Sequence, residues 1–130
     1  MHDETKNWLI MVEYDLTTAD HMLKSGRFVY VIFMCHLALE KALKAIICEE
    51  TQRPPSNIHD LIALCELGNV RPSGKHLEFI GKINNASVGT RYPEDFPNLI
   101  TSYPKEIAGE YLSQTKEIIK WLQQDKRLNP

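Results

Sequence analysis

The sequence predicts an all-α protein, an up-and-down bundle of three long helices and two short ones. Apolar residues recur at three- and four-residue steps through most of the 130-residue chain, the period of a helix with one buried face. No segment alternates convincingly at period two, as a half-buried strand would. Gly26, the Pro54–Pro55 pair, Gly68 and Pro104 stand at the joints between periodic segments, where helix-ending and helix-starting residues belong.

The first helix has Asp3 as its start signal and Gly26 as its stop, with Trp8, Leu9, Val12, Leu16, Ala19 and Leu23 as its apolar stripe. The second runs from about Phe28 to Glu50 and is rich in Leu, Ala, Lys and Glu, all strong helix formers. "TQRPPSN" ends it, because proline supplies no N–H and clashes with the preceding turn. Two short helices follow. One covers roughly Ile58 to Leu67, closed by Gly68. The other covers roughly Gly74 to Ala86, with Leu77, Ile80 and Ile83 on one face and Ser73 as a cap. A loop then extends to Tyr103. The last helix begins at Pro104, a residue suited to a first turn. Its inner stripe is Ile107, Ala108, Tyr111, Leu112, Thr115, Ile118, Ile119 and Leu122.

One domain over residues 1–130 is long enough to bury a core without covalent staples. Composition is that of a soluble globular protein, 43% hydrophobic and 25% charged. A formal net charge of −2 gives no bulk attraction to nucleic acid or membrane. The most apolar segment, Phe28 to Ile47, is broken by His36, Glu40, Lys41 and Lys44, so no membrane span is expected. The polar N-terminus "MHDETKNW" does not read as a secretory leader. Cys35, Cys48 and Cys65 lie in apolar contexts without C-x-x-C pairing, which suits a reducing cytoplasm and argues against a zinc framework.

Two stretches carry chemistry. In "FMCHLALEKALKAI", Ile32, Leu39, Leu43 and Ile46 define the apolar face. His36, at the edge of that face, is followed at successive i+4 steps by Glu40, drifting outward, and Lys44. Imidazole, carboxylate and ammonium thus form one ridge. It is either a rim of surface ion pairs or one wall of a cleft that orients an arginine or a ligand. A histidine and carboxylate one turn apart are also half of a metal site, but no second ligand-spaced pair accompanies them.

The other stretch, "SVGTRYPEDFP", puts an arginine, two aromatics, two acids and two prolines into the predicted loop. Arg91 offers a fixed fork of donors for carboxylate or phosphate. Tyr92 adds a stacking face and a hydroxyl, and Gly89 permits a sharp entry. The arginine either pins the loop to Glu40 or serves a ligand, since both uses share the same cleft. Elsewhere, His59 and Asp60 open the third helix, where aspartate suits the macrodipole and the histidine caps or packs. There is no glycine-rich phosphate loop, no G-x-S-x-G and no Cys/His pair at a readable nucleophile spacing.

Together, "FMCHLALEKALKAII", the histidine-led "HDLIAL" and "RYPEDF" before the last helix resemble the HEPN domain, from about Trp8 to Leu122. The resemblance implies a small helical bundle, a homodimer, and either nucleotide binding or RNA cleavage. It also implies a small nucleotidyltransferase as partner, in a toxin–antitoxin-like pair. His36, Glu40, Lys41 and Lys44 match the family's second helix, His59 its short helix, and Arg91, Tyr92 and Pro93 its loop. The ligand residues implied are therefore His36, Glu40, Lys44, His59, Arg91 and Tyr92, with no cofactor.

One departure bears on mechanism. Ribonuclease members carry an arginine and, with four to six residues between them, a histidine in the segment before the last helix. Here the corresponding positions from Arg91 are Phe96, Pro97 and Asn98, and no histidine follows His76. Arg53 with His59, and Arg71 with His76, meet the spacing only in earlier connections. A non-catalytic module that binds a nucleotide or a nucleotidyltransferase is the leading expectation, with no catalytic residue assigned. A ribonuclease with a divergent site, based on His36 or His59, and a purely structural interaction module are the alternatives.

Overall fold

The computed structural model describes residues 1–53, 57–91 and 93–130, apart from the side chain of Arg91. All its regular elements are helical: α1 (Asp3–Lys24), α2 (Phe28–Thr51), α3 (Leu61–Leu67), α4 (Gly74–Arg91), α5 (Phe96–Ser102), α6 (Lys105–Gln123) and a closing 3₁₀ turn (Lys126–Leu128). None of the helices among the described residues is long and apolar enough to cross a membrane.

The chain turns from α1 into α2 at Gly26, whose φ of +80° suits a residue without a Cβ. The Arg27 N–H closes the turn by donating to the Met22 carbonyl at 2.8 Å. α2 then runs through the middle of the molecule, in contact with α1, α3, α4, α5, α6 and the 3₁₀ turn. Of its 24 residues, 15 are buried, so it is enclosed on nearly every side and not on one stripe alone. Val12, Leu16 and Ala19 of α1 and Ala108, Tyr111, Leu112, Ile118, Ile119 and Leu122 of α6 pack around it, joined by Leu61 and Leu64 of α3 and Phe79, Ile80 and Ile83 of α4. Arg127 fastens the chain's end: it pairs with Asp125 and with Glu50 Oε2 (2.5 Å), and it donates to the Gly68 carbonyl.

The fold class is as expected from periodicity, and the bounds of α1, α2 and α6 agree closely with the sequence reading. Two local expectations are corrected. The second short helix does not stop at Ala86. It continues through Arg91, so α4 is a fourth long helix of 18 residues, and a further short helix, α5, lies within the stretch expected to be loop as far as Tyr103. The physical reason lies in Ser87 and Thr90. They extend the inner stripe of Ile80 and Ile83 at helical steps and are buried (2% and 4% exposed), but small polar side chains give no hydrophobic signal. The inner face is also rotated from the one expected, since Phe79 is buried and Leu77 is 47% exposed.

Gly89 thus sits inside a helix, with open space where a Cβ would project. Gly89→Ala is expected to raise stability by about 0.5–1 kcal/mol. Chemical denaturation checks this, and a loss of stability would mean that the backbone at Gly89 is not helical.

Candidate functional site

The polar ridge of α2 is interior, which corrects the expectation that Glu40 drifts towards solvent. His36, Glu40 and Lys44 are only 2%, 4% and 5% exposed. The cause is the enclosure of α2: α1 covers one flank, while the segment leading into α3 covers the other. Burying a charge is costly unless it is paired and hydrogen-bonded, and the carboxylate of Glu40 gathers partners from both sides. Lys44 Nζ donates to Oε2 at 3.0 Å, and its ammonium also lies 5.6 Å from the centre of the Trp8 ring of α1. His59 Nδ1 lies 3.1 Å from both carboxylate oxygens. His36 Nδ1 stands 3.8 Å from Oε1, within ion-pair reach but too long for a hydrogen bond.

A carboxylate only accepts, so the His59 contact requires the proton on Nδ1. That leaves Nε2 on the other edge of a side chain that is about half exposed (51%). His59 is therefore neither a helix cap nor a packing residue. The cap of α3 is Asp60, whose side chain accepts from the N–H groups of Ile62 (2.9 Å) and Ala63 (3.1 Å). Asn84 of α4 clamps this corner. Its Oδ1 accepts from the Leu61 N–H at 2.9 Å, and its Nδ2 donates to Asp60 Oδ1 at 3.3 Å. The position of His59 beside Glu40 thus follows from the anchoring of the residues just after it.

Between α2, the start of α3 and α4 lies a cleft of about 150 Å³, lined by His36, His59, Asp60, Asn84, Ser87 and Val88. Of the residues singled out from sequence, His36 and His59 line it. Glu40 supports them from below, and Lys44 is turned towards Trp8. Tyr92 lies outside the described residues, as does the side chain of Arg91, whose backbone ends α4. Sequence reasoning missed Asn84, Ser87 and Val88 as cleft residues, and read Asp60 only as a helix-start residue. The Asn84–Asn85 pair within a helical pattern was the available signal, because asparagine is a poor helix former that favours caps and turns.

Burial alone would push the Glu40 carboxyl up. The hydrogen bonds and positive charges of Lys44 and His59 outweigh it and hold its pKa below the ordinary 4.5. In the thiols burial wins, raising Cys35 to about 12 and Cys65 to about 11, so neither is a thiolate nucleophile near neutral pH. Among the described residues no group of three or more His, Cys, Asp or Glu side chains could hold a metal ion.

Because the folded-state pKa of Glu40 is lowered, its contribution to stability is fully present above pH 4.5 and is lost as pH falls through the folded value. Glu49 and Asp125 are shifted in the same direction. Glu40→Gln should flatten, but not abolish, the decline of stability below pH 4.5, as read by denaturation at a series of pH values. Glu40→Leu, which strands Lys44 in the interior, should cost about 3–5 kcal/mol. A pH profile in Glu40→Gln identical to that of the wild type would contradict the assignment.

The structure is similar to the crystal structure of TT1696 from Thermus thermophilus, with a TM-score of 0.78 and 19% identity, covering 95% of this chain and 98% of that one. It is also similar to ST0689, an archaeal HEPN homologue, with a TM-score of 0.73 and 20% identity, covering 92% and 94%. At these identities the likeness is one of fold. No curated protein matches the chain. The sequence model of the HEPN domain matches residues 5–126, nearly the whole length, and the chain belongs to the HEPN domain family.

Proposed function

We propose that this protein is a nucleotide-binding HEPN module, acting as one helical unit over residues 1–130 and as partner of a small nucleotidyltransferase in a toxin–antitoxin-like pair. The observation that carries the binding site is the convergence of two histidines on one cleft above a buried, lysine-paired glutamate. In this reading His36 and His59 contact the ligand, Glu40 and Lys44 hold them in place, and Arg91 and Tyr92 are the further ligand residues. Self-association as a homodimer is supported by large apolar side chains left at the surface, among them Ile10, Tyr14, Val88 and Ile100. Three free, buried cysteines support a reducing, cytoplasmic setting.

One observation favours a second reading, a ribonuclease with a divergent site. A histidine that lines a cleft and whose Nδ1 is held by a carboxylate is arranged as a general base. His59 would fill that role, with Arg91 opposite developing phosphorane charge.

A thermal-shift titration with ATP, GTP and a short RNA separates these readings. The first predicts a rise in melting temperature with a nucleotide, worth about 2.7 kcal/mol at one hundred times Kd, and its loss in both His59→Ala and Arg91→Ala. The second predicts RNA cleavage that His59→Ala abolishes. No shift with either nucleotide, in a protein that is folded, would contradict the first reading.

A further inference from the structure

We propose that the cleft between α2, α3 and α4 receives the ribose edge of a nucleotide, and that the phosphates lie outside it. This inference rests on the nucleotide-binding reading and adds which part of the ligand the cleft takes. It starts from two oxygens without a partner among the described residues.

The first is Oδ2 of Asp60. Oδ1 of the same carboxylate accepts from the Ile62 N–H, the Ala63 N–H and Asn84 Nδ2, and Asn84 is itself fixed by the Leu61 N–H. Three donors on one oxygen prevent the carboxylate from swinging, and the other oxygen is left as an oriented acceptor in a residue that lines the cleft. The second is the hydroxyl of Ser87, on the α4 wall of the same cleft. Ser87 is 2% exposed, and its side chain enters none of the hydrogen bonds among the described residues, where its backbone carbonyl alone accepts from Thr90. What solvent-facing surface it has lies towards the cleft, where a ligand would complete it.

His59 adds a third group. Its Nδ1 is committed to Glu40, so only Nε2 is left to meet a ligand. A carboxylate oxygen, a hydroxyl and an imidazole nitrogen call for a small ligand group rich in hydroxyl donors. The vicinal hydroxyls of ribose meet that demand, since each both donates and accepts, and a fixed acidic side chain is a recurrent partner for a ribose hydroxyl. A phosphate does not meet it. It offers no donor when fully ionised, and Asp60 would repel it. Size agrees: at about 150 Å³ the cleft is well below the roughly 300–1,000 Å³ of sites for drug-sized ligands, so it takes a fragment of a nucleotide. Val88, 73% exposed at the rim, offers an apolar edge to the carbon face of the sugar.

The discriminating variant is Asp60→Asn. Asparagine caps a helix as well as aspartate does, so the Oδ1 contacts and the fold are retained while the second carboxylate oxygen becomes an NH₂ group. The test is calorimetric binding of ATP and GTP, of their 2′,3′-dideoxy counterparts and of inorganic triphosphate, to wild type, Asp60→Asn and Ser87→Ala. The wild type should prefer at least one ribonucleotide over its dideoxy form by about tenfold or more, because a site built around a hydroxyl discriminates strongly against its loss. Asp60→Asn should bring that ratio close to one, Ser87→Ala should lower it, and neither should weaken triphosphate binding. Nucleotide binding with no preference for ribose, or a preference that survives Asp60→Asn, would overturn this inference and leave the parent reading standing. Absence of binding by every nucleotide would overturn both.

Discussion

A carboxylate buried in the middle of a central helix constrains much of what surrounds it. Glu40 cannot stay ionised in an interior site without donors, and its neighbours are arranged to supply them. Lys44 provides charge one turn along α2, and Trp8 covers that ammonium from α1. His59 provides a hydrogen bond from a different part of the chain, nineteen positions away. The carboxylate therefore ties three segments together, and the lowered pKa of Glu40 records that the donors outweigh desolvation. A second charged contact between α1 and α2, Lys41 with Asp15 at 2.7 Å, lies nearby and is also largely buried. Ion pairs of this kind are weak sources of net stability compared with apolar packing, so their place in the fold is better understood through what they hold in position.

What Glu40 holds in position is one wall of the cleft. The segment before α3 is short and α3 has seven residues, too few to be stable as a helix in isolation. It is retained by Leu61 and Leu64 in the core, by the Asp60 cap, by the Asn84 clamp from α4 and by the His59 contact with Glu40. The last three of these also shape the cleft, so that the same bonds serve stability and the site. Among the described residues, Oδ2 of Asp60, the Ser87 hydroxyl and Nε2 of His59 are polar groups beside the cleft that these bonds do not use.

The all-helical class, the bounds of the three longest helices and the ridge of His36, Glu40 and Lys44 could all be read from the chain, because each rests on a spacing of three or four residues. The burial of that ridge could not. A helix wheel ranks one side as apolar, yet α2 is enclosed on nearly every side, and only the tertiary arrangement says that His59, just before α3, closes over Glu40. The end of α4 was misread for a related reason: Ser87 and Thr90 continue the inner stripe with side chains that look like loop. His59 was marked through family resemblance, whereas its residue context alone offered a cap or packing role. The partnership of Asn84 with Asp60 joins residues 24 positions apart and has no local signature beyond an asparagine where a better helix former would be expected.

The central claim is that Glu40 and His59 form a coupled pair that fastens the start of α3 to α2. A double-mutant cycle with Glu40→Gln and His59→Ala, measured by chemical denaturation near neutral pH, tests it most directly. The account predicts an interaction energy of about 0.5–3 kcal/mol between the two sites. Strict additivity, within about 0.3 kcal/mol, would mean that the histidine rests beside the carboxylate without being held by it, and would contradict the claim.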